Sequence, residues 1–234
     1  EGIRQVLTAP AELFDVFAVE AMTPIVGRGS LLLTAGTPHR RGRKLLSPPF
    51  AGERMRAYGP AMAEAAREHL DRLGPGARFT GLKLGQAVSL GVIVRVVFGV
   101  QEPARIAAFE RAVIDMMEAL PAACLFFRVL QRSFVPAWRR FLRAQAALDQ
   151  LLFDQLARAR REPPSDRSIL SQLLEARDEQ GRPFDDAEVR DQLLTLLLAG
   201  HETTAIALAW ALHWVHATAG VLERLRDELA PLGP

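Results

Sequence analysis

The stretch from Asp185 to His216 constrains this chain more than any other, because it carries no proline and keeps its apolar pattern to about Val215. Asp185 or Asp186 can cap its start by accepting from the first free backbone N–H groups. At 1.5 Å per residue, about thirty helical residues span roughly 45 Å, enough to cross a whole domain. Within it, Leu193 to Leu198 is apolar on every face except Thr195, so this part is predicted to be surrounded by protein.

A polar block, Ala199-Gly200-His201-Glu202-Thr203-Thr204, interrupts that apolar run, which then resumes to Leu212. A carboxylate placed there needs a partner, a proton or a water-filled cavity. Gly200 gives up about 1 kcal/mol of helix propensity relative to alanine, but it lets another group approach the backbone. Mid-helix threonine hydroxyls can bond the carbonyl one turn back and loosen the ladder. The residues alone leave two readings open: a groove with a proton source, or a kink at a domain contact where Glu202 pairs with an arginine. His201, Glu202 and the charged flanks argue against a membrane span.

With 234 residues, 49% of them hydrophobic and 24% charged, the chain can build one large core or two small ones. No repeat or low-complexity tract divides it. The Pro163-Pro164-Ser165 stretch reads as a local connection, so residues 1–234 are taken as one domain. Leucine and alanine dominate, and β-branched clusters are scarce outside Val88 to Val100, so a mainly α fold is expected. Helices are predicted over Gly2–Thr8, Glu12–Glu20, about Pro38–Ser47, Gly52–Leu73, Leu82–Val100, Glu102–Leu120, Val135–Arg161, Ser168–Arg177 and Val221–Leu229. Pro24 to Thr34 is predicted as loop, and a loose Phe-rich segment surrounds Cys124.

The formal charge of +2 is too small to suggest a nucleic-acid partner. A single cysteine excludes an intramolecular disulfide framework and fits a reducing compartment. Glu1 to Thr8 reads as an amphipathic segment and not as a leader or anchor. A cytoplasmic protein with neither a nucleic-acid nor a membrane partner is expected.

The helix over about 38–47 is strongly basic. His39 and Arg43, four apart, share one face, while Arg40 and Lys44 share another. Taken alone, such a helix is most simply a solvated surface.

The block AGHETT resembles the oxygen-groove motif of the cytochrome P450 family, placed centrally in that family's longest helix. The string AGTPHRRGRKLLSPPF is similar to the same family's haem-propionate pattern, in the right order and separation. The resemblance runs along essentially the whole chain. It implies haem (iron protoporphyrin IX) as cofactor, with Ala199, Gly200, Thr203 and Thr204 lining it and His39 and Arg43 binding its propionates. It further implies Glu202 as the acid of a proton relay and Thr203 as the hydroxyl that assists oxygen activation. Arg40, Arg41 and Lys44 would then be free for an acidic electron-transfer protein such as a ferredoxin, and residues 120–135 would border access for a small hydrophobic organic substrate. The implied reaction inserts one atom of dioxygen into that substrate.

The family's cysteine ligand loop is not found after Val221, and Cys124 has no Gly-rich loop beside it, so this thiol reads as structural. The chain is therefore expected to be a partial domain, inactive alone. The rival readings are a non-catalytic binding or regulatory remnant of the same scaffold and a basic surface binder.

Overall fold

The computed structural model describes residues 2–10, 13–161 and 168–232, which form helices and turns without a strand among them. The helices are α1 (Gly2–Thr8), α2 (Val19–Val26), α3 (Gly36–Leu46), α4 (Gly52–Leu70), α5 (Gly81–Val92), α6 (Pro103–Ala119), α7 (Ala122–Phe126), α8 (Pro136–Arg161), α9 (Ile169–Glu175), α10 (Asp186–Ala217) and α11 (Val221–Leu229). The mainly α expectation holds.

The long helix α10 begins where its sequence can satisfy its free N–H groups. Asp185 accepts from the Glu188 backbone at 2.7 Å, and the Glu188 carboxylate accepts in return from the Asp185 N–H at 2.9 Å, a reciprocal capping box. Its first half is buried through Val189, Leu193, Leu194 and Leu197. Three polar residues on that half clamp the turn after α2. The Asp191 carboxylate accepts from Gly29 N–H at 2.8 Å, Gln192 brackets residues 29 and 31, and Thr195 meets the Ser30 hydroxyl at 2.7 Å. Gly27, at φ +89°, leaves room for this clamp, since a Cβ there would stand 1.8 Å from the Asp191 carboxylate.

Helix α5 runs antiparallel to α10 on a stripe of small residues. Gly81 faces Ala209 and Gly85 faces Ala205, where an added Cβ would come within 2.6 Å of the Ala205 carbonyl oxygen. Ser89 reaches His201 by hydrogen bond. Residues without bulk at every fourth position allow the two backbones to approach closely. Beyond Val92 the helix widens into a π turn over Ile93–Val97. On the other side α6 lies against α8, with Phe98 and Phe109 rings 5.6 Å apart and Leu148, Leu152 and Leu156 fully buried.

Some expectations shift. The helix predicted over Glu12–Glu20 forms later, at Val19–Val26; residues 11 and 12 lie outside the described set, and Ala18 adopts a left-handed backbone just before it. Pro24, read as the start of a loop, sits inside this helix, where it removes one backbone donor without ending it. The Pro163-Pro164-Ser165 connection falls outside the described residues. By length and composition α10 is also apolar enough to cross a membrane, although its first half is packed in the core.

Candidate functional site

Past Leu198 the character of α10 changes. Ala199, Thr203 and Thr204 are exposed and Gly200 is partly so, whereas His201 and Ala205 are buried against α5. At 3.6 residues per turn the first four fall on one side of the helix. They form a stripe of small side chains that no other described element covers. The Thr203 hydroxyl donates to the Ala199 carbonyl one turn back, the local loosening expected of a mid-helix threonine.

Nothing in the packing of the described residues asks for glycine at position 200. A Cβ there would meet only Ile93 Cδ1, at 3.6 Å, an ordinary contact. Gly85 is forced by its neighbour, and Gly200 is not.

Glu202 turns away from this stripe, being roughly 100° round the helix from Thr203. It borders a cavity of about 490 Å³ between α5, α6 and α10, which Lys83, Gln86, Met117, Glu118 and His201 also line. Gln86 Nε2 donates to Glu202 Oε1 at 2.9 Å. The Glu202 side chain keeps 41% exposure, so its carboxylate has a partner and water, two of the three conditions its placement required. Next to it, His201 Nδ1 lies 2.9 Å from the Ser89 hydroxyl, which also donates to the His201 carbonyl. Burial lowers the His201 pKa, favouring the neutral ring, and the nearby Glu202 charge only partly opposes this.

The basic helix α3 is tied to the start of α10 by Arg41, contrary to the expectation that this arginine is free for an electron donor. Arg41 donates to Asp178 and Glu188 at 2.8 Å each and to the Pro183 carbonyl at 2.8 Å. A fork of five donors suits such a three-way grip. Lys44 also has a partner, the exposed Glu179 at 2.7 Å. By contrast, no hydrogen bond or ion pair among the described residues engages the side chains of His39 and Arg43. No bond joins them to the Ala199–Thr204 stripe either. The cleft of about 790 Å³ at the α3–α10 junction is lined by Arg28, Pro38, Arg41 and Phe184 among others, and by none of the candidate residues.

Sequence reasoning missed Gln86 and Ser89, the residues of α5 that hold Glu202 and His201. Their only signal was polarity at i and i+3 in a stretch whose only other polar side chains are Lys83 and Arg95. Cys124 is buried with its thiol 3.8 Å from the Leu130 carbonyl, and burial pushes its pKa up.

A long helix with a small-residue stripe at its centre that no other described element covers, a carboxylate on the neighbouring face and a basic helix beside its start define a recognisable class of helical protein. The family model for cytochrome P450 matches residues 1–232, and the chain belongs to that family. Cytochrome P450 135A1 of Mycobacterium tuberculosis is 35% identical over 220 residues, covering 88% of this chain and 49% of that protein. Cytochrome P450 137 of the same organism is 32% identical over 230 residues, covering 96% and 48%. The retinoic acid-bound cyanobacterial CYP120A1 superposes with a TM-score of 0.80 at 25% identity, over 98% of this chain and 52% of that one. The chain thus spans about half the length of the relatives it matches. Proteins of this family use haem as cofactor. The residues present fit such a group: no other described element covers the small-residue stripe at Gly200, and His39 and Arg43 are donors without a partner among the described residues.

Proposed function

We propose that a full-length protein carrying this chain is a haem-dependent monooxygenase that inserts one atom of dioxygen into a small hydrophobic organic substrate. The observation that carries this reading is the stripe at Ala199, Gly200, Thr203 and Thr204, which no other described element covers and whose glycine no described neighbour requires. Ala199, Gly200 and Thr204 would lie against the haem face, and His39 and Arg43 would hold its propionates, an imidazole donor and an arginine fork both suiting carboxylates. When bound, the haem iron supplies the redox chemistry that activates dioxygen.

The chain's own part is to position groups and move protons. Gln86 holds the Glu202 carboxylate at the α5–α6–α10 cavity, one residue along the helix from Thr203. Water in that cavity can protonate Glu202, which then passes a proton toward the Thr203 hydroxyl. With its hydrogen on the Ala199 carbonyl, the Thr203 oxygen is an acceptor; releasing that carbonyl lets it donate across the stripe. Two electrons come from a separate acidic electron-transfer protein such as a ferredoxin, for which Arg40, which like Arg43 has no acidic partner among the described residues, is the available basic side chain of α3. Residues 120–135 border substrate access, and the bacterial relatives and the single cysteine support a cytoplasmic setting.

The reading is tested by the absorbance of the full-length protein after reduction and carbon monoxide treatment; absence of a haem spectrum would overturn it. Haem titration of Arg43→Ala should show weaker retention than the parent protein, and equal affinity removes the propionate role. In Thr203→Ala a larger share of the electrons consumed should emerge as peroxide instead of product. Unchanged coupling removes Thr203 from the relay.

A further inference from the structure

Ser89 and His201 meet across the contact between α5 and α10, at 4% and 5% exposure. Their own chain buries them, so any further part of the protein can only bury them more deeply. The Ser89 oxygen lies 3.1 Å from the Gln86 carbonyl, 3.1 Å from the His201 carbonyl and 2.9 Å from His201 Nδ1. Both carbonyls can only accept, and the hydroxyl has one hydrogen to give. If that hydrogen went to Nδ1, the Ser89 lone pairs would face two carbonyl oxygens with no proton between them. The hydrogen therefore goes to a carbonyl, and Nδ1 carries its own hydrogen and donates it to Ser89. Burial favours the neutral ring, and in a neutral ring protonated at Nδ1 the other nitrogen, Nε2, is an acceptor.

That nitrogen lies 3.9 Å from Glu202 Oε1, the oxygen that accepts from Gln86 Nε2 at 2.9 Å. Two acceptors thus stand side by side, too far apart for a direct bond, and no hydrogen bond among the described residues engages Nε2. Lys83 and Glu118, the other charged residues that line this cavity, bond to neither atom. Such a spacing between polar atoms suits one bridging water, and the cavity of about 490 Å³ has room for it. A water there gives one hydrogen to Nε2 and one to Oε1, so both its lone pairs point into the cavity, where they can take an incoming proton. A hydrogen on Nε2 would occupy one of those lone pairs and turn the water round.

We infer that Ser89 fixes the tautomer of His201, and that His201 Nε2 and Glu202 Oε1 together hold one water as the donor from which Glu202 takes its proton. As the water's O–H bond breaks and the Glu202 O–H bond forms, the water oxygen takes a proton from the next water of the cavity, so no charge is left behind. Ser89 and His201 are positioning residues that act through this water and Glu202. The inference deepens the proton-relay reading of Glu202 and Thr203 and rests on it for the function of the water, but the tautomer and the water's place can be read without turnover.

The test uses the full-length protein, reduced and bound to carbon monoxide. Nuclear magnetic resonance of protein labelled in its histidine nitrogens should show the His201 ring protonated at Nδ1 and bare at Nε2. Its signals are assigned by their loss in His201→Asn and, independently, by their displacement in Glu202→Gln. A ring protonated at Nε2 overturns the inference. A crystal structure of the same protein should place a water at about 2.7–3.2 Å from both His201 Nε2 and Glu202 Oε1; a direct contact between the two side chains, or Lys83 in the water's place, equally overturns it. If no haem spectrum forms, the monooxygenase reading fails, while the tautomer and the water are still decided in the haem-free protein.

Variants separate positioning from packing. His201→Asn keeps an N–H toward Ser89 but has no atom at the Nε2 position, and Ser89→Ala releases the tautomer. Each should lower product formation about tenfold, less than the ~100-fold at which direct proton donors begin, and should raise the solvent isotope effect on that step as proton delivery slows. Ser89→Thr keeps the hydroxyl and should recover both. Folded variants with unchanged product formation and isotope effect overturn the inference. Should these buried substitutions not fold, the ring and the water of the parent protein decide.

Discussion

The two halves of α10 follow different rules. Up to Leu198 its buried residues are accounted for by their neighbours: Leu193, Leu194 and Leu197 fill the core, and Asp191, Gln192 and Thr195 clamp the turn at residues 27–31. After Ala205 no residue of the helix is buried, and Ile206, Trp210 and Trp214 are about half exposed or more, at 47%, 56% and 58%. One continuous helix is therefore a core element for half its length and, among the described residues, largely uncovered for the rest. A residue explained by its own chain reports on stability; one left unexplained points to a ligand or a further part of the protein.

The sharpest way to break this comparison is to remove the same side chain from each half. Leu194→Ala, deep in the core at 1% exposure, should destabilise the chain by about 2–5 kcal/mol. Leu208→Ala, at 36% exposure, should change it by no more than about 0.5 kcal/mol. Equal losses in chemical denaturation of this chain would mean that the second half is packed after all.

A second pair uses glycine. Gly85→Ala forces a Cβ to 2.6 Å from the Ala205 carbonyl oxygen and should cost about 1–3 kcal/mol, as overpacking does. Gly200→Ala meets only an ordinary contact and should stabilise the helix by about 0.5–1 kcal/mol, the usual gain over a helical glycine. The same Gly200→Ala change should weaken haem titration of the full-length protein. Stability and cofactor affinity moving in opposite directions is the signature of a residue kept for a ligand.

Much of this was legible in the sequence because it is periodic or local. The length of α10, its cap at Asp185 and the polar block at 199–204 all rest on residues within a few turns of one another, as does the basic face of α3. What was not legible depends on partners far along the chain. Gly81, Gly85 and Ser89 look like weak points in an apolar run until α10 lies across them. Asp191 and Gln192 look like surface residues until Gly29 arrives from more than 160 positions away. Arg41 is indistinguishable from Arg40 and Arg43 by composition, and only the meeting of α3 with Asp178 and Glu188 separates it from them. Pro24 misled for a different reason, since a proline lowers the odds of a helix without forbidding one.

The smallest effect expected concerns how the basic helix is tied to the core half of α10. The Arg41 guanidinium, hydrogen-bonded to Asp178, holds that carboxyl at about 2 against an ordinary 3.8. The folded chain therefore binds this proton less readily than the unfolded one, so the link contributes above pH 3.8 and is lost as pH falls through about 2. Asp178→Asn removes the titrating group while leaving the shape. Measured by denaturant unfolding from about pH 5 down to about pH 2, the parent chain should lose more stability over the lower part of that range than the variant does. Parallel curves would mean that Arg41 does not draw on Asp178, leaving Glu188 as the contact that joins α3 to the first turn of α10. Because that turn belongs to the half whose residues are explained by their neighbours, the variant should leave haem affinity at the Gly200 stripe unchanged.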